Sequence, residues 1–239
     1  MRGSKYEFLN DLISYWKFDG NAEDSHGSND GTVSGATAIS TGQKLGTGAY
    51  SFDGNNDYVD MDDIEQIDGS TEITFSAWMK LSSSELGGDG DLFTKGRHTT
   101  NVPLLIWRDD NVGKGDQDEN TNCLSAFIDD GPNDKWISSP SGTLNDDDWH
   151  YIVVTFKADY ATGLKIYIDG TLQQTGDTTN VDYIPENNDP FRVGADSTGG
   201  GQPLKGFVDE VAIWERVLEQ DEVTALYNGG NGLGYSSFT

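Results

Sequence analysis

The sequence predicts an all-β antiparallel sandwich closed by one short helix, and two segments of its last third carry that prediction. Trp149–Gly170 (WHYIVVTFKADYATGLKIYIDG) alternates apolar and polar residues through Ile152, Val154 and Phe156. It turns at Ala161-Thr162-Gly163 and alternates again through Leu164, Ile166 and Ile168. Alternation of period two between turn signals marks a half-buried hairpin. Phe207–Gly230 (FVDEVAIWERVLEQDEVTALYNGG) repeats the strand pattern at Val208, Val211 and Ile213. It then takes helical spacing at Val223, Leu226 and Tyr227 before Gly229-Gly230 stops it.

The preceding elements follow in order. Leu12–Gly31 (LISYWKFDGNAEDSHGSNDG) reads as an opening strand and an acidic, glycine-rich loop, Gly48–Asp60 (GAYSFDGNNDYVD) as a strand pair, and Glu72–Leu81 (EITFSAWMKL) as a core strand with Trp78 near its middle. Together with the two C-terminal segments, these blocks resemble, in family order, the laminin-G-like, concanavalin A-like jelly rolls, which include pentraxins and many bacterial extracellular modules. The resemblance runs from about Leu12 to Gly230 and implies a two-sheet antiparallel jelly-roll sandwich with one short C-terminal helix. It also implies that Trp16, Trp78, Trp149 and Trp214 are structural.

Composition agrees with one domain. The 239 residues include 30 Gly and 6 Pro, with no Pro/Ser linker or low-complexity run, and all-β sandwiches reach this length as single units. Hydrophobic content is only 34%, but 6 Trp, 10 Tyr and 10 Phe supply a core of ordinary size. Phe-Asp-Gly-Asn occurs at Phe18–Asn21 and at Phe52–Asn55, and both copies read as strand-to-turn punctuation. Residues 1–11 read as a leader, because Met1-Arg2-Gly3-Ser4 resembles an expression-vector start and no apolar signal-peptide core follows it; residues 12–239 read as the domain.

The net charge of −26 repels phosphate backbones and anionic lipid, which excludes nucleic acid and membrane surfaces as partners. Such a surface suits a salty or calcium-containing medium. Cys123 is the only cysteine, so no intramolecular disulfide forms, and an extracellular, cell-surface or virion location is what the family resemblance implies. No stretch is long and apolar enough to span a bilayer as a helix.

Hard cations need six to eight oxygens, which Asp, Asn and carbonyls in glycine-rich turns provide. Asp19, Asn21, Asp24 and Asp30 crowd the first loop. The resemblance implies a structural calcium on the outer face, and its matching positions are Asp19, Asn21, Gly54 and Asp209. The alternative makes Asp19 and Asn21 turn formers and Asp209 a hydrogen-bond acceptor for a neighbouring strand end. A second tract, Asp116, Asp118 and Asn120, begins like an EF-hand loop. Thr121 and Phe127 then stand where Gly and Glu are required, so it reads as a solvated loop.

Catalytic signatures are missing. Asp63–Asp68 (DIEQID) lacks the acid order of the glycoside hydrolases of this fold, and strand alternation would put Asp209 and Glu210 on opposite faces. The three histidines, His26, His98 and His150, are scattered, no Gln-x-His strand of the lyase type exists, and no G-x-S-x-G occurs. The expectation is therefore a non-catalytic module.

Sugar recognition needs an aromatic plate for a pyranose face and polar groups for its hydroxyls. The least family-like stretch of the chain holds candidates for both: Arg97, His98, Trp107, Arg108 and Trp136. Either arginine could pair with a uronate or sulfate. Leu104, Ile106 and Arg108 would share one strand face and Leu105, Trp107 and Asp109 the other, which leaves open whether Trp107 is core. The expected function is a calcium-stabilised, lectin-like module binding a glycan or polysaccharide. The alternative is a structural or adhesive module binding a protein partner, with a hydrolase or lyase third. Pentraxin-like relatives assemble through the sandwich, so oligomeric state stays open.

Overall fold

The alternation along Trp149–Gly170 becomes a hairpin of β11 (Trp149–Lys157) and β12 (Leu164–Ile168), in which Ile152, Val154 and Phe156 lie opposite Ile168, Ile166 and Leu164. All six are buried in one core. The computed structural model describes residues 7–81, 89–97, 101–109, 122–144, 146–196 and 202–238.

Among these residues the strands form two antiparallel sheets. The larger runs β13 (Thr171–Gly176), β12, β11, β6 (Glu72–Leu81), β15 (Lys205–Trp214), β4 (Ala49–Asp53) and β3 (Thr37–Ile39), with β1 (Leu12–Trp16) also on β15. The smaller runs β10 (Asp134–Ser138), β9 (Cys123–Asp129), β8 (Asn101–Asp109), β7 (Gly90–Arg97), β14 (Phe191–Val193), β5 (Tyr58–Asp60) and β2 (Thr32–Ser34). This is the jelly-roll sandwich that the sequence predicts. Aromatic rings lock the two sheets together: Phe191 stacks on Phe93 at 5.7 Å, on Phe75 at 5.8 Å and on Trp16 at 6.5 Å between centroids.

A second apolar cluster covers the outer face of the larger sheet. Trp78, Tyr151, Tyr167 and Trp214 are buried there beneath α1 (Gln220–Tyr227), which lays down Val223 and Leu226. Both described ends of the chain join in. Trp214 Nε1 donates to the Phe8 carbonyl at 2.8 Å, and Phe8 packs on Phe238 at 5.2 Å between centroids. Residues 7–11, read from sequence as part of a leader, therefore belong to the fold, because Phe8 and Leu9 supply apolar cover that this outer face needs. Trp16, Trp78 and Trp214 are buried and Trp149 is half-buried, its Nε1 donating to the Gly42 carbonyl at 3.0 Å.

β15 is split. Lys205–Val208 pair with β4, Val211–Trp214 pair with β1, and β6 runs along the whole other edge. The register against β6 slips between Asp209 and Ala212, where Glu210 takes a left-handed φ of 52°. A β-bulge therefore marks the point where one edge partner ends and the next begins.

Candidate functional site

The seam between β1 and β4 needs acceptors, because the backbone N–H groups of the segment leading into β4 have no strand beside them. Two carboxylates meet that need. Asp209 Oδ2 accepts from Lys44 N at 2.9 Å and Leu45 N at 3.0 Å. Asp19, just past β1, accepts from Gly48 N at 2.9 Å, from the Thr47 hydroxyl at 3.2 Å and from Thr47 N.

The bulge places Glu210 on the same side as Asp209, where it accepts from the Tyr15 hydroxyl. Strand alternation would have separated the two acids, and the extra residue of the bulge overturns that expectation. Asp209 is fully buried and its Oδ1 has no hydrogen-bond partner among the described residues. Burial, opposed by the Leu45 and Lys44 amides and reinforced by the charge of Asp19, raises Asp209 to about 7. Burial also dominates at Glu210; the Tyr15 hydrogen bond works against it, the charges of Asp209 and Asp19 with it, and the result is about 8. Negative charge thus collects at the seam beyond what nearby donors balance.

The remaining metal candidates stand elsewhere. Asn21 is exposed and its Oδ1 accepts from Glu23 N at 3.3 Å within its own turn. Gly54 lies beside Lys205 at the far end of β4, four residues along β15 from Asp209, or roughly 13 Å. Asp24 organises the first loop by accepting from the amides of Tyr15, His26, Gly27 and Asn29. Burial alone would raise its pKa, but those donors hold it below the usual carboxylate range. Among the described residues, no three His, Cys, Asp or Glu side chains are arranged to hold a metal ion as they stand.

The aromatic candidates come together on the outer face of the smaller sheet. In register, Trp136 pairs with Phe127, Phe127 with Leu105, Leu105 with Thr94, Thr94 with Arg192 and Arg192 with Asp60. The neighbouring row runs Ser138, Ser125, Trp107 and Asp91. Leu104, Ile106, Ala126 and Ile128 face the core, so Trp107 points away from it and is half-buried. Trp136 is 46% exposed. By strand spacing and rise the two tryptophans sit roughly 12 Å apart.

Beyond Thr94 the strip turns polar. Arg192 Nε bonds Asp60 Oδ2 at 2.8 Å, its Nη1 donates to the Asp196 carbonyl at 2.8 Å, and its guanidinium lies 4.2 Å from the Tyr58 ring centroid. Arg192 and Tyr58 were not singled out from sequence. Only the ladder, which joins β5 to β14, shows that they share a face with Trp136.

Arg108 occupies the opposite strand face from Trp107 and donates to Asn122 Oδ1 at 2.6 Å. It is buried and belongs to the end of the sandwich. Arg97 ends β7, and its side chain, like His98 and the tract of Asp116, Asp118 and Asn120, lies outside the described residues.

Two stacked antiparallel sheets, one of them capped by a helix, define a jelly-roll sandwich. The chain belongs to the Laminin_G_3 family of the concanavalin A-like lectin/glucanases superfamily, whose model matches residues 53–224. No curated protein matches it in sequence.

Among solved structures it is similar to domain 4 of AbnA, a GH43 extracellular arabinanase from Geobacillus stearothermophilus, determined in complex with arabinotriose. The TM-score is 0.65 at 19% identity, covering 90% of this chain and 97% of that one. It is also similar to the binding domain of Paraclostridial Mosquitocidal Protein 1 (TM-score 0.68, 18% identity, 92% of this chain and 52% of that). A third is the botulinum neurotoxin serotype D ligand-binding domain in complex with N-acetylneuraminic acid (TM-score 0.67, 13% identity, 92% and 51%). The chain thus spans about half of each toxin domain. At these identities the likeness is one of fold.

Proposed function

We propose that this protein is a non-catalytic carbohydrate-binding module of an extracellular protein, stabilised by calcium. The observation that carries the reading is the exposed Trp136 with half-buried Phe127 and Trp107 on the outer face of the smaller sheet, a row that continues past buried Leu105 and Thr94 to Arg192 and Asp60. Flat rings give sugar faces something to lie on, and fixed polar groups select hydroxyls. Structures of similar fold hold arabinotriose or N-acetylneuraminic acid, which supports a saccharide as the class of ligand.

The acid pair Asp209–Glu210 supports the non-catalytic part. Both are buried at the seam of the larger sheet, away from the strip, so neither reaches a sugar bound there. The seam suits a hard cation, given a buried, unpartnered Asp209 Oδ1 and three acids whose charges repel one another. Asp209 and Asp19 would hold the calcium, with Glu210 beside them, and the ion would neutralise the charge that burial makes costly. A panel of immobilised neutral, uronate-containing and sulfated glycans, probed in millimolar calcium and again in chelator, tests the reading. Capture by one glycan class supports it. Silence across the panel overturns it in favour of a protein-binding module.

A further inference from the structure

A second pocket lies on the opposite sheet, at the β11–β12 turn. It encloses about 250 Å³ between the outer face of the larger sheet and the chain leading into α1, and its walls include Glu72, Thr155, Lys157, Tyr160, Lys165 and Glu219. The ladder explains the grouping. Glu72 pairs with Lys157, and Thr155 pairs with Lys165, so these four side chains occupy adjacent rows of one face.

Their interactions leave specific groups open. Lys157 Nζ donates to Glu72 Oε1 at 2.6 Å and lies 5.4 Å from the Tyr160 ring centroid, which satisfies that cation and fixes the ring beside it. Lys165 has no ion pair or hydrogen bond from its side chain among the described residues. Thr155 is fully buried, and its hydroxyl has no hydrogen-bond partner there either. A buried, unpaired hydroxyl costs stability, and this one lies beneath the pocket wall rather than on its surface. Tyr160 is 51% exposed.

We infer that this pocket is a second saccharide site, selective for a pyranose unit that carries a carboxylate. The Tyr160 ring provides the plate for the sugar face, the open ammonium of Lys165 pairs with the carboxylate, and Glu219 meets ring hydroxyls. In a chain of net charge −26, a free lysine inside a concave site selects an anion that the rest of the surface repels. The site extends the glycan-binding reading but shares no residue with the Trp136 strip, so the two fail separately.

The test is calorimetric titration of the full chain with trigalacturonate and with neutral galactotriose, using wild type, Tyr160→Ala, Lys165→Gln, Thr155→Val and Trp136→Ala. The expected result is wild-type binding of trigalacturonate with little response to galactotriose. Tyr160→Ala and Lys165→Gln should each weaken it at least tenfold. Thr155→Val, which changes only a buried atom beneath the wall, should raise the melting temperature and leave binding unchanged. Absence of trigalacturonate binding overturns the inference. So does binding that survives both Tyr160→Ala and Lys165→Gln, or that only Trp136→Ala removes, which would place the anion on the other sheet.

Discussion

Asp209 and Glu210, neighbours in sequence, face the same side of the larger sheet because Glu210 takes a left-handed backbone conformation at the bulge. The bulge falls where β15 changes its edge partner from β4 to β1. Two acids are thereby concentrated at a seam whose other carboxylate, Asp19, anchors Thr47 and Gly48.

The pair predicts how stability depends on pH. Both pKa values, about 7 and about 8, stand above ordinary carboxylate values, so the folded chain holds these protons more tightly than the unfolded one. Their contribution to stability is complete below about pH 4 and is lost as pH rises through the two folded values. Thermal melts in chelator should therefore show a falling Tm from about pH 5 to about pH 8, and millimolar calcium, acting through a seam-bound ion in the folded chain, should make the fall shallower. Asp209→Asn should make the fall in chelator shallower and abolish the calcium gain. An equal calcium gain in wild type and variant would place no cation at the seam.

His150 loses stability in the same direction as pH rises, but for a different reason, since here it is the charged form that the fold favours. Burial works to lower its pKa, but hydrogen bonds to Asp169 at 2.8 Å and Asp146 at 2.9 Å outweigh it and raise the ring to about 9. That stabilisation is complete below the unfolded value of 6.5 and disappears as pH rises through about 9. His150→Gln should lower Tm by ~3 °C near pH 6 and have almost no effect near pH 10. A loss of the same size at both pH values would show that the side chain acts through packing alone.

Gly46 and Gly42 both have left-handed backbones, with φ of 56° and 80°. An added Cβ would lie 2.3 Å from Asp19 Oδ1 at Gly46 but would meet nothing within 4 Å at Gly42. Both alanine variants carry the left-handed penalty of about 1 kcal/mol. Gly46→Ala should cost roughly 1 kcal/mol more, because it dislodges the carboxylate that ties β1 to β4. Equal urea midpoints would mean that the Asp19 anchor contributes little.

The legible and illegible parts of the fold have physical causes. The hairpin of β11 and β12 and the helix α1 are local patterns, written in periods of two and of 3.6, and they need no distant partner. The bulge left a faint mark too. The inward residues Val208, Val211 and Ile213 skip one position, and that skip is the extra residue at Glu210.

The seam itself could not be read, since Asp209 meets Lys44 across 165 residues and no sequence spacing encodes that approach. The face of Trp107 was undecidable for a similar reason. Alternation says which residues share a side, and only the second sheet says which side is core. Arg192 and Tyr58 went unnoticed because their role arises from the pairing of β14 with β5.

The central claim is that the Trp136–Trp107 face binds sugar, and it is tested most directly by following the tryptophan indole N–H signals by NMR during titration with a glycan that the array identifies. The Trp136 and Trp107 signals should shift with the ligand while those of the buried Trp16, Trp78 and Trp214 stay in place. Trp136→Ala should weaken binding at least tenfold, about 1.4 kcal/mol, with little change in Tm. Saturable binding that leaves both signals unmoved, and that survives Trp136→Ala, would contradict it.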